Sequence, residues 1–391
     1  MRKSLVVSLF ALVIAAMVLS ACGTATPAAT EAPTTAPAAT EAPTAEPTLA
    51  PGSVQINGAG ATFPLPVYTA WTYAYQYVDP SVVINYQGIG SGGGKKGIID
   101  NTIDFAGSDS LLKDEEYTSG KDLQMYPMLA GAVVPVYNLT WAKEFAADAK
   151  VPALVLDRQT LVDIYNAKIT KWNDPAIVAL NPGLDGYLPD ATITAVHRSD
   201  GSGTTEIFTK ALASFSADWT AGGASSVEWP VDKAGNGIGG KGNQGVAAAV
   251  INTPNSIGYV ELSYAISNKM AAASLVNKAG KTVVANAESV AADMSDFATA
   301  FDAKLTATIV DGAGEGSWPI TGYTYIILHT TDSTDAVKTQ KIVEFLKWAL
   351  TDAGASSQAA SLGYSVLPEA VRDQVLAKLA EVSVNGVAVL K

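Results

Sequence analysis

The sequence predicts an α/β protein, and two observations support this fold class. Downstream of residue 52, short runs rich in β-branched residues alternate with segments of helical pattern, which is typical of α/β layering. The chain has 391 residues, 48% of them apolar and 16% charged, so it can bury the cores of two ordinary domains. Its single cysteine and two histidines exclude an internal disulfide and a Cys/His metal cage. Stability must therefore come from apolar cores.

The elements of this folded body can be placed in order along the chain. The strand candidates are residues 82–86, 132–137, 192–196, 257–260 and 323–328. The helix candidates are residues 64–77, 161–166, 204–212, 246–251, 295–304 and 337–350.

The first 21 residues form a predicted secretion signal. Arg2 and Lys3 precede an apolar run from Leu5 to Leu19 that is short for a membrane span. The tetrapeptide from Leu19 to Cys22 resembles the lipobox of bacterial lipoproteins, so Cys22 is the predicted lipidation site and the mature N-terminus. The alternative is an incidental cysteine at an ordinary cleavage site.

Residues 22–52 form a predicted tether between the lipid and a folded body that begins near Ser53. This segment is almost wholly Ala, Thr, Pro and Glu, and the octapeptide at 27–34 recurs at 37–44. Proline favours extended, polyproline-like conformations, and no core can be built from such a composition. An adhesive stalk is the alternative interpretation.

The net charge of −12, from 25 basic and 37 acidic residues, disfavours binding to nucleic acid or to an anionic membrane surface. Any anion that the protein binds must therefore be held by local dipoles rather than by the overall field.

Three loops of small residues each precede a predicted helix. They are Gly58-Ala-Gly-Ala-Thr-Phe-Pro64, Gly88-Ile-Gly-Ser-Gly-Gly-Gly94 and Asp200-Gly-Ser-Gly-Thr-Thr205. Small residues let a ligand approach the backbone, and the unpaired N–H groups of a first helical turn bind anions. The hydroxyl groups of Thr62, Ser91, Ser202 and Thr204 add further donors. Each loop alone is explained by an ordinary capped helix start, but together they indicate an anion site.

Arg198 stands beside the third of these loops. Asp200, two residues later, can fix the guanidinium by a bidentate bond and leave its other N–H groups to face a tetrahedral oxyanion. A surface arginine paired with a neighbouring carboxylate is the alternative.

Two nucleotide-binding motifs are weighed and disfavoured. The pattern Gly88-x-Gly90-x-x-Gly93, with Asp109 downstream, matches the dinucleotide fingerprint, but exported proteins rarely meet nicotinamide cofactors, and the motif does not open the folded body. Residues 235–241 fit the start of a P-loop, but Gly242 replaces the hydroxyl residue that would bind the metal.

Serine hydrolysis is the main enzymatic alternative. Ser202 or Ser91 would be the nucleophile, His197 the base and Asp109 or Asp200 its orienting partner. The nucleophile-elbow pattern fails around Ser202, and the adjacent Arg198 opposes an imidazolium at His197.

Four separated segments carry a resemblance to a known family. They are Gly58-Ala-Gly-Ala-Thr-Phe-Pro64, Tyr86-Gln-Gly-Ile-Gly-Ser-Gly-Gly-Gly94, Asp104-Phe-Ala-Gly-Ser-Asp109 and Arg198-Ser-Asp-Gly-Ser-Gly-Thr204. In this order they resemble the signature segments of the phosphate-binding proteins that feed bacterial ABC phosphate importers. Residues 239–245, 257–261 and 318–320 extend the similarity over essentially the whole folded body.

The resemblance implies a type II periplasmic-binding-protein fold, in which two α/β domains are joined by two crossover strands and close on the ligand like a hinge. The crossover strands would lie near residues 132–137 and 323–328. Domain one would comprise residues 53–131 and 320–391, and domain two residues 132–319.

The resemblance also implies a set of phosphate ligands. They are Thr62, Phe63 through its backbone N–H, Ser91, Asp109, Arg198, Ser202, Gly203 and Thr204, with Asp200 as the partner that holds Arg198. No catalytic residue, metal or cofactor is expected. The chain departs from the family pattern at Gly92, Leu111 and His197, where the family often has serine, proline and arginine.

Asp109 is expected to set selectivity. Three helix N-termini contribute about +0.5 each and Arg198 about +1, which nearly balances hydrogen phosphate together with one carboxylate. A carboxylate next to an anion is repulsive unless the anion offers it a proton, and phosphate does so near neutrality whereas sulfate does not. Two alternatives stay open: a binding protein for another oxyanion, either a phosphonate, which also carries a proton, or sulfate, against which Asp109 argues, and an exported phosphoester hydrolase on the same fold.

The expected function is therefore high-affinity binding of inorganic phosphate outside the cytoplasm and delivery to the permease subunits of an ABC importer. The protein would be a non-enzymatic monomer, anchored by lipid to the outer face of the cell membrane.

Overall fold

The computed structural model describes residues 52–390. The predicted signal peptide 1–21, the lipidation site Cys22 and the tether up to residue 51 lie outside the described residues. Within residues 52–390, none of the helices combines the length and the apolar character that crossing a membrane requires.

Strands and helices alternate along the described chain. The strands are β1 Val54–Gly60, β2 Val82–Gly88, β3 Phe105–Ser108, β4 Leu123–Asn138, β5 Val155–Asp157, β6 Thr194–Arg198, β7 Gly237–Gly240, β8 Ser256–Glu261, β9 Ala271–Ala272, β10 Ser274–Val276, β11 Thr282–Val283, β12 Thr321–His329, β13 Ser365–Val366, β14 Ser383–Val384 and β15 Val387–Ala388. The helices are α1 Leu65–Val78, α2 Ser91–Ile99, α3 Asp114–Gly120, α4 Arg158–Tyr165, α5 Pro175–Leu180, α6 Gly203–Phe215, α7 Pro230–Lys233, α8 Gly242–Asn252, α9 Leu262–Ser267, α10 Ala287–Asp296, α11 Ala336–Thr351, α12 Ala353–Ser361 and α13 Glu369–Leu379, with a 3₁₀ turn at Pro182–Leu184.

The main sheet has the strand order β2-β1-β3-β12-β4-β8-β6-β7, and β9 and β13 add to β4. The pairs within β1–β3 are parallel, as are the pairs of β6 with β7 and β8. Both β12 and β8 run antiparallel to β4. The mixed sheet and its covering helices confirm the predicted α/β class.

β4 is the strand that connects the two ends of this sheet. Residues 123–132 pair with β12, and residues 133–138 pair with β8. Nearly every side chain of β4 is buried, which explains its almost uninterrupted apolar sequence, since a strand covered on both faces has no polar side. The two segments expected to be crossover strands therefore lie in β4 and β12, next to each other in the middle of the sheet.

All five strand candidates appear as strands, and five of the six helix candidates lie almost wholly within helices. The candidate at 295–304 is wrong, because the helix in this region runs over Ala287–Asp296. Asn286 caps that helix, and its side chain accepts a hydrogen bond from the Ser289 N–H. The cap at Asn286 therefore starts the helix eight residues before the predicted start at residue 295. The helix ends at Asp296, with Phe297 as its C-cap, close to that predicted start.

The small-residue loops meet where two sets of parallel strands point toward each other, because β1 and β2 run in the direction of β4 whereas β6 and β7 run against it. β1 ends within the first loop, β2 ends at the first residue of the second loop, and β6 ends two residues before the third. α1 begins directly after the first loop, whereas α2 and α6 begin within the second and third loops. β7 also ends shortly before α8. Because the carboxyl ends of parallel strands line the ligand crevice in α/β sheets, a binding site is expected where the two sets of carboxyl ends face each other.

Candidate functional site

The loop after β1 is fixed through its carbonyl groups. The Tyr264 hydroxyl donates to the Thr62 carbonyl at 2.5 Å, and the Tyr364 hydroxyl donates to the Phe63 carbonyl at 2.7 Å. Thr62 and Phe63 are both buried. Tyrosines from distant parts of the chain thus hold the loop in which two of the predicted ligands lie.

Ser91, the first residue of α2, joins three of the predicted site segments. Its hydroxyl oxygen accepts hydrogen bonds from the Gly203 N–H at 3.0 Å and the Asp109 N–H at 3.2 Å. The same oxygen lies 3.4 Å from Asp109 Oδ2, so the hydroxyl proton can point at the carboxylate. Ser91 is buried, as a group at the centre of a closed cluster must be.

Gly92 occupies a place where a larger residue would be crowded. Its N–H donates to the Gly201 carbonyl at 3.0 Å, and a Cβ added at Gly92 would lie 3.3 Å from the Gly201 Cα. The close approach of two loops explains why glycine fits here in place of the serine often found in the family.

Arg198 has the clamp that the sequence predicts. Its Nε and Nη2 atoms donate to the two oxygens of Asp200 at 2.7 and 2.6 Å, and the guanidinium is almost fully buried. Asp200 Oδ1 also accepts from the Gly242 N–H at 3.1 Å. Burial alone would raise the pKa of Asp200, but the bonds from Arg198 hold this pKa below its usual range. The remaining nitrogen, Nη1, lies 3.5 Å from Thr204 Oγ1.

The start of α6 contains Ser202, Gly203 and Thr204, and each of these residues makes different contacts. The Ser202 hydroxyl caps the helix by accepting from the Thr205 N–H at 3.1 Å. Gly203 packs directly on Asp109, since a Cβ at Gly203 would lie only 2.5 Å from the Asp109 Cβ. The side chains of Ser202 and Thr204 are buried. The helix start is therefore held against the loop that contains Asp109.

Asp109 is buried, with 5% of its surface exposed, and it faces the cluster rather than solvent. Oδ1 accepts a hydrogen bond from the Thr324 hydroxyl at 2.7 Å. Burial raises the pKa of Asp109 to about 7, although the Thr324 bond and the positive charge of Arg198 pull it down. Near neutrality this carboxyl therefore exchanges between a form that accepts and a form that can donate a hydrogen bond.

The structure thus brings the predicted site residues into one buried cluster, and it adds residues that the sequence reasoning missed. The principal one is Asn243, in the first turn of α8, whose side chain contacts the hydroxyl groups of Thr62 and Thr204. Asn243 follows the glycine-rich segment 235–241 that partly fits a P-loop. The position of Asn243 at the start of a helix is the sequence signal that points to it. Thr324 on β12 gives no such local signal.

The serine-hydrolase arrangement is not assembled in the described part of the chain. His197 Nε2 lies 2.8 Å from Asp232 Oδ1, and Nδ1 lies 3.0 Å from the Arg198 carbonyl oxygen. The imidazole also stacks on Trp229, with ring centroids 4.8 Å apart. Both ring nitrogens are therefore engaged away from Ser91 and Ser202.

The chemistry of this cluster suits an oxyanion. The first turns of α1, α2 and α6 and the Arg198 guanidinium supply positive potential, each helix start contributing about half a charge. Hydroxyl groups supply further donors, and Asp109 is a group that can accept a proton from the ligand.

Comparison with known proteins places this chain in a family. The family model described as the PBP superfamily domain matches residues 33–353. The phosphate-binding protein PstS of Xylella fastidiosa is 42% identical over 327 residues, which span 83% of this chain and 84% of that protein. PstS of Pasteurella multocida is 41% identical over 325 residues, spanning 83% and 89% of the two chains. The chain belongs to the PstS family of phosphate-binding proteins.

Solved structures show the same fold at greater distance. A high-affinity periplasmic phosphate-binding protein, solved with phosphate bound, has a TM-score of 0.64 and 22% identity, over 86% of this chain and 99% of that one. A phosphate-binding protein from Stenotrophomonas maltophilia has a TM-score of 0.60 and 22% identity, over 83% and 94%. These matches confirm the periplasmic-binding-protein fold.

Proposed function

We propose that this protein binds inorganic phosphate outside the cytoplasm and delivers it to the permease subunits of an ABC phosphate importer. The observation that carries the proposal is one buried cluster in which the clamped Arg198, the carboxyl of Asp109 and three helix starts meet. Family membership supports the same conclusion, since the relatives at about 40% identity are named phosphate-binding proteins. Binding, rather than turnover, is the proposed activity.

The proposed ligands are the residues that the sequence comparison indicated. They are Thr62, Phe63, Ser91, Asp109, Arg198, Ser202, Gly203 and Thr204. Asp200 supports them by holding Arg198. Residues 53–131 with 320–391, and residues 132–319, are the proposed lobes, and β4 and β12 are the segments about which they would move. Contacts such as Ser91 with Gly203 join the two proposed lobes.

The proposed setting is the outer face of the cell membrane. Lipid on Cys22 and the tether after it would keep the monomeric protein near its permease, which raises the local concentration of the donor. Loss of membrane association in a Cys22→Ser variant, measured by cell fractionation, is the direct test of this part.

The central test is calorimetric titration of the protein with phosphate. Arg198→Ala removes the buried cation and leaves Asp200 without its partner, so we expect phosphate affinity to fall by about 100-fold or more. Arg372→Ala, at a half-buried arginine of α13 that pairs with Glu369, is the matched control and is expected to bind normally. Near-normal binding by Arg198→Ala would overturn the proposed site, and turnover of a phosphomonoester by the wild type would favour the hydrolase.

A further inference from the structure

Asn243 is fully buried, and its side-chain amide has a fixed orientation. Oδ1 accepts a hydrogen bond from the Glu261 N–H at 2.8 Å. A backbone N–H can only donate, so the oxygen of the amide must be the atom that faces Glu261. The amide nitrogen is thereby directed to the opposite side, into the cluster.

The amide nitrogen of Asn243 lies between two threonines that come from different elements. Nδ2 is 2.9 Å from Thr62 Oγ1 and 3.0 Å from Thr204 Oγ1. The backbone N–H of Asn243 also donates to Thr62 Oγ1, at 3.1 Å. One residue therefore presents three donor contacts to two hydroxyl oxygens.

These contacts determine which way the hydroxyl protons can point. A hydroxyl oxygen accepts two hydrogen bonds and donates one. Both acceptor positions of Thr62 Oγ1 are filled by Asn243, so its proton must be directed elsewhere. Thr204 Oγ1 accepts from Asn243 and lies 3.5 Å from Arg198 Nη1, so the same argument holds there.

We propose that Asn243 is a positioning residue that holds the hydroxyl groups of Thr62 and Thr204 as hydrogen-bond donors toward the bound anion. The inference rests on the proposed function, because it assigns a role to Asn243 through two of the proposed phosphate ligands. Without Asn243, each hydroxyl could turn its proton to another acceptor and present a lone pair to the anion. The hydrogen bond from Asn243 to Thr62 also joins the two proposed lobes, so Asn243 would also favour closure of the lobes on the anion.

A double-mutant cycle on phosphate affinity tests this role. Asn243→Ala is expected to weaken phosphate binding by about 10- to 100-fold, the range for hydrogen bonds to a charged partner. In a Thr62→Val, Thr204→Val background, the same substitution is expected to cost less than about 3-fold, because its target hydroxyls are gone. In a Thr62→Ser background, which keeps a hydroxyl at residue 62, the full cost is expected to return.

Asn252→Ala is the matched control, since Asn252 ends the same helix and its amide donates to the Ala248 carbonyl at an exposed position. Asn243→Ser removes the amide nitrogen without adding a charge, so it supplies the same cycle if Asn243→Ala does not fold. An equal cost of Asn243→Ala in the wild-type and double-valine backgrounds would overturn the inference and leave phosphate binding intact. Failure of the wild type to bind phosphate would instead overturn the proposed function together with this role.

Discussion

At the scale of single residues, Asp109 shows how burial and a nearby cation compete over one carboxyl. Arg198 favours the ionised form, but it is already committed to Asp200, whose oxygens take two of its donor atoms. Burial therefore dominates at Asp109 and raises its pKa to about 7. The site consequently has a group that changes from acceptor to donor within the physiological range.

This change predicts that selectivity depends on pH. Ionised Asp109 can accept a proton from phosphate but repels sulfate, whereas protonated Asp109 can donate to either anion. We expect the preference for phosphate over sulfate, measured by competition binding, to fall as the pH is lowered from about 8 to about 5.5. Asp109→Asn is expected to show a weaker preference for phosphate over sulfate, and this preference should change less with pH. Any pH dependence that remains in Asp109→Asn measures the effect of the ionisation of phosphate itself. A preference in the wild type that is independent of pH would contradict this role.

At the scale of elements, the site is made from the starts of helices that follow parallel strands. α1, α2, α6 and α8 each begin close to the end of a strand, and the loops between them are rich in glycine. This arrangement leaves backbone N–H groups unpaired where the loops meet. It also requires that some positions carry no side chain at all.

The first three of these loops were predictable because their signal is local. Small residues, hydroxyl groups and an Arg-x-Asp pair all lie within a few residues of one another. The contacts of Asn243 with Thr62 and of Thr324 with Asp109 span 181 and 215 residues along the chain. The residues around Asn243 and around Thr324 in the sequence do not indicate these distant partners. The contacts form only because β4 and β12 bring the two halves of the sheet together. The wrong helix at 295–304 had a different origin, the unrecognised cap at Asn286.

Gly203 is one of the positions where close packing requires glycine. A methyl group there would lie 2.5 Å from the Asp109 Cβ, so α6 or the Asp109 loop would have to move. We expect Gly203→Ala to lower the free energy of unfolding by about 1–3 kcal/mol and to weaken phosphate binding at least about tenfold. Urea unfolding and calorimetry measure the two effects.

Gly183→Ala is the matched control for this substitution. Its nearest neighbour would be the Pro152 Cγ at 3.9 Å, which is ordinary contact, so we expect a change within about 0.5 kcal/mol. Equal behaviour of the two variants would contradict the close packing of Gly203 on Asp109.

At the scale of the whole molecule, the sheet encloses several carboxyl groups that burial keeps protonated to unusually high pH. Burial raises the pKa of Glu261 and of Asp293 to about 8 in each case. Glu261 lies where α9 begins, and its Oε2 accepts from the Ser263 N–H at 3.0 Å and lies 2.8 Å from the Tyr364 hydroxyl oxygen. Among the described residues its Oε1 has no hydrogen-bond partner, so ionisation there is poorly compensated.

These carboxyls predict how stability changes with pH. A carboxyl whose pKa is higher in the folded than in the unfolded chain stabilises the fold fully below its ordinary pKa, and this contribution is lost as the pH rises through about 8. Without phosphate, we expect the free energy of unfolding to decline from about pH 5 to about pH 9, in a series of urea titrations. Carboxyls whose pKa lies below the usual range, such as Asp122 and Asp200, stay ionised throughout this window.

Glu261→Gln isolates the share of one buried carboxyl in that decline. Glutamine keeps an oxygen that can accept from Ser263, but it does not ionise, so the variant should lose less stability between about pH 5 and about pH 9 than the wild type, by a few kcal/mol. Glu315→Gln, at an exposed glutamate, should retain the wild-type slope. A decline in Glu261→Gln as steep as that of the wild type would show that the Glu261 carboxyl is already ionised in the folded protein. Among the described carboxyls, Asp109, Asp293 and Asp311, whose pKa values burial also raises, would then remain to produce this pH dependence by the same mechanism.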